Sequence, residues 1–224
     1  MNLSNLMEMK ASDVQRFLER NFPINNLAHS KRNYESIFGV NDATYVVAKT
    51  VDGKIVKCPA YSCWSSMISR CCNERTKERK PTYSEIYVCD EWRYFSSFLS
   101  WWKSNQVDGW QIDKDLTSDS GIYSPDTCVF VPGWLNKFTS SSKAKRGNLK
   151  IGVYLCKQTG KFRAKCGNPI SGKVESIGRF SSEDEAHLSW MKRKKEIALD
   201  LKGAMDSIDN RIYQRVIKII DGAN

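Results

Sequence analysis

The sequence predicts an α+β protein of two modules, and three observations lead to this prediction. Residues 137–224 hold 19 Lys and Arg against 9 Asp and Glu, whereas residues 1–136 hold 16 of each, so the net charge of +10 belongs to the C-terminal part. Hydrophobic residues make up 41% of the chain and aromatic residues 11%, which is enough for folded cores. Stretches with the period of a helix and stretches with the period of a strand follow one another.

Residues 1–36 are predicted to form an N-terminal helical segment. Leu6–Asn21 places Phe17 and Leu18 on one apolar face, and Pro23 ends the helix. The helix could pack on its own module, or it could dock onto a second copy of the chain, which leaves a homodimer open. The segment has no small-residue cleavage site, and no apolar run reaches the length of a membrane span. We expect a cytoplasmic protein that does not bind membranes.

Residues 37–138 are predicted to form a second segment that mixes short strands with aromatic-rich helices. Trp92, Phe95 and Phe98 recur at helical spacing in one predicted helix and Trp64 belongs to another, and such an aromatic stripe is typical of a buried core. The predicted elements are strands 44–48 and 54–56, helix 61–72, loop 73–81, strand 86–89, helix 90–103, an extended pair 109–119 and 122–131, and a short helix from Pro132.

The chain has eight cysteines and no CxxC pair, so the spacing does not fit a zinc finger. In a reducing compartment such cysteines are usually small buried hydrophobes. One alternative stays open at this point, namely that Cys71, Cys89 and Cys128 converge on a metal ion.

Residues 139–149 are rich in Ser, Lys and Gly and are predicted to be a linker to a C-terminal domain, residues 150–224. Strands are predicted at 152–157, 161–166 and 174–180, followed by a helix at 181–201 and a further helix or strand at 212–220. Because Ala186, Trp190 and Ile197 share one side of the long helix, we expect a three-stranded sheet packed on one helix.

Strand alternation predicts that one face of this sheet is basic. In 161–166 the residues Phe162, Ala164 and Cys166 point toward the helix, so the residues between them point away. A small sheet with an exposed basic face can lie in the major groove of double-stranded DNA. The predicted DNA-binding residues of this basic face are Lys150, Lys157, Lys161, Arg163, Lys165, Lys173 and Arg179.

This segment resembles the DNA-binding domain of plant ethylene-response factors and its phage relatives. The matching words are Gly152-Val153-Tyr154, Gly160-Lys161-Phe162-Arg163-Ala164, Ile177-Gly178-Arg179-Phe180 and Glu183-Asp184-Glu185-Ala186. The resemblance implies that the sheet, rather than the helix, reads the major groove. It also implies that Tyr154, Arg163 and Lys165 contact bases or phosphates.

A second candidate functional site is Asp113-Lys114-Asp115, which lies on a predicted extended segment. A second strand and a short helix that carries Asn136 follow it. This β-β-α order can bring an Asp and an Asn to one Mg²⁺ ion, which prefers oxygen ligands. The alternative is a turn-rich hairpin in which Lys114 pairs with surface carboxylates.

The first module resembles phage-encoded HNH-type homing endonucleases, which often carry the ethylene-response-type domain at their C-terminus. The matching words are Trp64…Met67…Arg70-Cys71, Val88-Cys89…Glu91-Trp92…Phe95…Phe98, Asp113-Lys114-Asp115 and Tyr123-Ser124-Pro125…Cys128. The resemblance implies a ββα-metal (HNH-like) core at residues 37–138 and an origin in a phage or mobile element within a bacterial host. It implies Asp113, Lys114 and Asp115 as catalytic residues and Asp113 and Asn136 as ligands of Mg²⁺.

One departure from the HNH pattern matters for the chemistry. Lys114 stands where the family has the histidine that acts as general base, and the neighbouring Asp113 and Asp115 favour a charged lysine. Three functions therefore stay open: a site-specific double-strand DNA endonuclease, a non-cleaving DNA-binding transcriptional repressor, and a protein that binds another protein through its Trp-rich surface.

Overall fold

The computed structural model describes residues 9–24, 39–140 and 148–223. The chain divides into two compact units, the first with residues up to 115 and 119–130, and the second with 116–118 and 131–224. Both contain helices and strands, so the α+β class is confirmed. None of the helices in these ranges has the length and apolar character needed to traverse a lipid bilayer.

In its described residues the first unit joins four α-helices and two short 3-10 helices, Pro81–Tyr83 and Asp90–Arg93, to short strands. Its α-helices are α1 (Ala11–Asn21), α2 (Pro59–Cys72), α3 (Glu74–Arg79) and α4 (Phe95–Asn105). Its strands are β1 (Ala48–Val51), β2 (Lys54–Lys57), β3 (Tyr87–Val88), β4 (Gln111–Asp113), β5 (Ile122–Tyr123) and β6 (Val129–Val131), of which the last residue belongs to the second unit. The sheets are pairs: β1 with β2, β3 with β5, and β4 with β6.

Helix α1 packs on its own unit, which is the first of the two alternatives for the N-terminal segment. Leu18 is fully buried, and Gln15 is buried with it. The Gln15 amide donates to the hydroxyl of Tyr45, and the thiol of Cys58 donates to the Gln15 amide oxygen over 2.7 Å. These contacts satisfy the buried polar atoms, so α1 is anchored to the start of α2 by packing and by hydrogen bonds.

The aromatic residues of α2 and α4 form the core that their spacing predicted. Trp64 is 2% exposed, and its indole N–H donates to the backbone oxygen of Trp92 over 2.8 Å. The Trp64 and Phe95 ring centroids lie 5.6 Å apart, a separation typical of favourable aromatic pairs. Tyr123 belongs to this core, and Ile112, two residues before Lys114, packs against it.

One prediction for this unit is wrong, and a second is confirmed in part. The segment 73–81, predicted as a loop, contains helix α3, because the Asn73 side chain accepts the Thr76 N–H over 3.1 Å and caps the helix. The segments 109–119 and 122–131 do pair as predicted, through β4 and β6. The pairing does not extend to β5, which pairs in parallel with β3, with Val88 opposite Tyr123.

The second unit contains the predicted three-stranded sheet and its helix. The strands are β7 (Val153–Leu155), β8 (Phe162–Asn168) and β9 (Lys173–Phe180), paired antiparallel in the order β7-β8-β9. The helices are α5 (Gly133–Thr139), α6 (Glu183–Asp200), α7 (Lys202–Asp206) and α8 (Ile212–Asp221). Helix α5, which the sequence analysis placed before the linker, groups with this unit.

Helix α6 starts at a complete capping box, since Ser182 and Glu185 exchange side-chain to backbone hydrogen bonds. Its buried side includes Ala186, Trp190 and Ile197, as predicted. His187 is also buried, and its two ring nitrogens lie 2.9 Å from the backbone oxygens of Ile151 and Ala223. His187 therefore ties α6 to the chain before β7 and to the end of α8, and it is a structural residue.

Candidate nucleic-acid interface

The sheet β7–β9 has one face covered by α6 and one face, the open face, that carries Tyr154, Arg163, Lys165, Ser176 and Arg179. Alternation along β8 produces this division. Ala164 and Cys166 are at most 1% exposed under the helix, whereas Arg163 and Lys165, at the alternate positions, lie on the other side.

The side chains of the open face are aligned by strand pairing. Arg163 of β8 lies between Tyr154 of β7 and Arg179 of β9, which forms a row across three strands. In the next row Lys165 lies opposite Ser176, and its ammonium lies 5.6 Å from the ring centroid of Tyr154. Tyr154 is 55% exposed, so this ring is available to a partner.

The charged groups of the open face are all cations. Glu175 is the one carboxylate within the three strands, and it points to the helix side. There Arg193 of α6 donates to Glu175 over 2.7 Å, and Asn168 donates to the same carboxylate over 2.7 Å. These donors hold the pKa of Glu175 below its ordinary value. The one negative charge of the sheet is therefore compensated away from the open face.

The remaining predicted contact residues lie around the open face rather than on it. Lys157 and Lys161 are exposed at the β7–β8 turn, and Lys173 is exposed at the start of β9. Lys150 precedes β7, and its ammonium donates to Asp184 at the start of α6 over 2.7 Å. This hydrogen bond raises the pKa of Lys150, whose charge is thus already paired.

Cys156 is a feature of the open face that the sequence analysis missed. The Arg163 guanidinium donates to the Cys156 sulfur over 3.3 Å. The Thr159 hydroxyl, backbone N–H groups and Arg163 lower the pKa of the Cys156 thiol to about 7. Burial raises the pKa of Cys63 to about 11 and that of Cys71 and Cys128 to about 12. Cys156 is therefore a nucleophilic thiol beside a predicted DNA contact.

The first unit places Lys114 and Asp115 together. Strand β4 ends at Asp113, whose carboxylate accepts the Asp115 N–H over 2.8 Å, so Lys114 lies in a turn. The Lys114 side chain is 4% exposed, and its ammonium forms an ion pair with Asp115, which is 61% exposed. The same ammonium lies 5.5 Å from the ring centroid of Tyr123. This geometry agrees with the turn-rich alternative for the motif.

Lys114 lies at a pocket of about 690 Å³ on the first unit. The pocket also contains Asp115, Asp119 and Glu85, so its lining carries both signs of charge. Tyr123 is hydrogen-bonded to Arg70 over 3.2 Å, and burial raises the pKa of Tyr123 to about 12. Tyr123 therefore stays protonated at neutral pH and supports the Lys114 side chain.

The two predicted Mg²⁺ ligands belong to different units. Asp113 belongs to the first unit and Asn136, on α5, to the second. Within the described ranges, no three His, Cys, Asp or Glu side chains are grouped as metal ligands, so Cys71, Cys89 and Cys128 form no such group. His29 lies outside the described residues. Magnesium binding by Asp113 and Asn136 stays a prediction.

A second residue that sequence reasoning missed is Lys194 of α6, which is 8% exposed. Its spacing from Trp190, one helical turn earlier, places it on the buried side of the helix, so its burial could have been predicted from the sequence.

No protein-family model, curated protein or solved structure matches this chain.

Proposed function

We propose that this chain binds double-stranded DNA through the open face of the sheet β7–β9. The observation that carries the proposal is a sheet face whose charged side chains, Arg163, Lys165 and Arg179, are all cations. Cations on a rigid sheet neutralise phosphates and release condensed counterions, which supplies affinity that depends on salt. The resemblance to ethylene-response domains points to the same face.

The geometry fits binding in the major groove. Two arginines stand side by side across β8 and β9, and arginine can donate two hydrogen bonds to the O6 and N7 atoms of guanine. Lys165 and the flanking lysines Lys157, Lys161 and Lys173 supply contacts to phosphates. Tyr154 adds a ring for packing against the sugar or the bases. Phosphate contacts fix the orientation, and the two arginines provide the sequence preference.

Cleavage of the bound DNA is the second candidate function, and the pocket beside Lys114 favours it. In this proposal Lys114 stabilises the charge that develops on the scissile phosphate. Asp113 and Asn136 offer two of the oxygen ligands of a Mg²⁺ ion, which takes its other ligands from water and phosphate. Bound there, Mg²⁺ would polarise the phosphate.

The described chemistry supports DNA binding better than cleavage. A general base must accept a proton, whereas the ammonium of Lys114 is buried in an ion pair with Asp115. His187 is held by two backbone oxygens in the second unit. We therefore propose a DNA-binding protein that acts as a transcriptional repressor, with cleavage as the alternative.

Salt titration of duplex binding, with and without Mg²⁺, tests both proposals. We expect the logarithm of the binding constant to fall with the logarithm of salt at a slope between about −3 and −5, since several cations meet phosphates. We expect the DNA to stay intact. Cuts that require Mg²⁺ and vanish in the Asp113→Ala variant would establish the second candidate. Binding that is absent, or that does not change with salt, would overturn the first.

A further inference from the structure

One end of the open face continues into a pocket of about 560 Å³ within the second unit. Helix α5 forms one side of the pocket, and the ends of β7, β8 and β9 together with α6 form the rest. Pockets of about 300–1,000 Å³ are typical of small-molecule sites, so this volume is enough for a nucleotide.

The pocket carries positive charge only. Lys137, Lys165, Lys173 and Lys194 line it, and no Asp or Glu does so within the described part of the chain. Four lysines without a carboxylate produce a potential that attracts an anion. The contributions come from α5, β8, β9 and α6, so the charge surrounds the pocket and does not extend along one strand.

Lys194 is the observation that points most directly to a ligand. Its side chain is more than nine-tenths buried, and among the described residues no carboxylate or hydrogen-bond acceptor contacts its ammonium. The ammonium lies 3.6 Å from the ring centroid of Phe138 and 5.8 Å from that of Trp190. Burial lowers the pKa of Lys194 to about 8, so the charged form still predominates at pH 7. A buried cation without a counter-ion is unfavourable, and an anion in the pocket would supply one.

Aromatic rings provide the second part of the chemistry. Trp134, Tyr154 and Trp190 line the pocket together with the lysines. Trp190 lies against Gly152, whose lack of a side chain allows the close approach. Stacking on such rings tolerates any nucleobase, because every base has a π face. The pocket therefore combines surfaces for a flat ring with cations for a phosphate.

We propose that this pocket binds one nucleotide, with its base against Trp134 or Tyr154 and its phosphate at Lys194 and the neighbouring lysines. The inference goes beyond the proposed function, because the open face needs no unpaired nucleotide to bind a duplex. The nucleotide has two possible sources, a free mononucleotide or an unpaired nucleotide of a DNA strand. The chemistry that the pocket recognises is the same for both.

Calorimetric titration of the full-length chain with 2′-deoxyadenosine 5′-monophosphate tests the proposal. We expect binding that is at least tenfold weaker for 2′-deoxyadenosine, which lacks the phosphate, and for inorganic phosphate, which lacks the base. The Lys194→Met variant keeps an unbranched side chain of similar length and should bind the mononucleotide at least tenfold more weakly. Lys192→Met removes an exposed lysine of the same helix outside the pocket and should bind like the unaltered chain.

A second experiment identifies whether the nucleotide is free or belongs to a DNA strand. A duplex with a one-nucleotide overhang should bind more tightly than the blunt duplex if the nucleotide belongs to DNA, and this gain should disappear in Lys194→Met. Equal affinities for both duplexes, with the mononucleotide still bound, assign the pocket to free nucleotides. Lys137→Met, at an exposed pocket position, provides a second variant should Lys194→Met fail to fold.

The proposal is overturned if the mononucleotide does not bind and the overhang adds nothing, or if both pocket variants bind as the unaltered chain does. The experiments distinguish a failure of nucleotide binding in the pocket from a failure of duplex binding at the open face. Binding of the blunt duplex requires the open face and is expected to remain in Lys194→Met. Loss of blunt-duplex binding in Arg163→Ala/Arg179→Ala concerns the open face, because neither arginine lines the pocket.

Discussion

Replacing Arg163 and Lys165 together by alanine is expected to weaken duplex binding by roughly 30- to 1,000-fold, since two good contacts contribute about 2–4 kcal/mol. Both side chains lie on the open face, and neither pairs with a carboxylate in the described structure. We also expect the salt slope to become less steep by about 1 for each phosphate that the variant no longer neutralises. Fluorescence anisotropy of a labelled duplex at several salt concentrations measures both effects.

The matched control removes two positive charges elsewhere on the same unit. Lys192 on α6 and Lys218 on α8 are exposed and lie outside the sheet, so the Lys192→Ala/Lys218→Ala variant has the same net charge as the open-face variant. We expect this control to bind the duplex almost as tightly as the unaltered chain. Equal weakening in the two variants would mean that net charge alone attracts DNA, and would contradict a specific role for the open face.

Replacing Gly152 by alanine is expected to destabilise the second unit by about 2–6 kcal/mol. Gly152 has a φ of +79°, and an added Cβ would lie 2.1 Å from the Cδ1 atom of Trp190. The left-handed backbone and the overpacking each cost about 1–3 kcal/mol. Because the Gly152 oxygen accepts the Lys165 N–H over 2.9 Å, any shift of Gly152 also disturbs the start of the β7–β8 pairing. Thermal unfolding followed by circular dichroism measures the destabilisation.

Gly160→Ala is the control for the backbone contribution. Gly160 has a φ of +65°, but nothing lies within 4 Å of the position that its Cβ would occupy. This variant should therefore be destabilised by only about 1 kcal/mol, the cost of alanine in the left-handed region. Similar unfolding temperatures for the two variants would show that the contact between Gly152 and Trp190 does not restrict position 152.

The C-terminal unit could be predicted because its local sequence patterns all indicate the same secondary structure. Alternation in β8 separates Ala164 from Lys165, and Ser182 with Glu185 forms the capping box at the start of α6. The basic open face follows from these two patterns together. The three-stranded sheet, its helix and the face that carries the cations were therefore readable from the sequence.

The rest depended on contacts between segments distant in sequence. Nothing local in Ile122–Tyr123 indicates that β5 pairs in parallel with β3, and strands of two residues carry little periodicity. Lysines are mostly exposed in folded proteins, so the sequence does not indicate that Lys114 is buried against Asp115 and Tyr123. Helix α5 follows β6 in sequence but groups with the second unit. The pocket beside Lys194 required this grouping, so no single segment could have predicted it.

Alkylation of Cys156 tests most directly whether the open face meets DNA. With a pKa of about 7 this thiol should react with iodoacetamide fastest among the cysteines at neutral pH, since burial raises the pKa of each of the other seven. Because Arg163 contacts the Cys156 sulfur, a bound duplex should slow this reaction at least tenfold, and high salt should restore it. Unchanged labelling of Cys156 under saturating duplex would contradict DNA binding at this face.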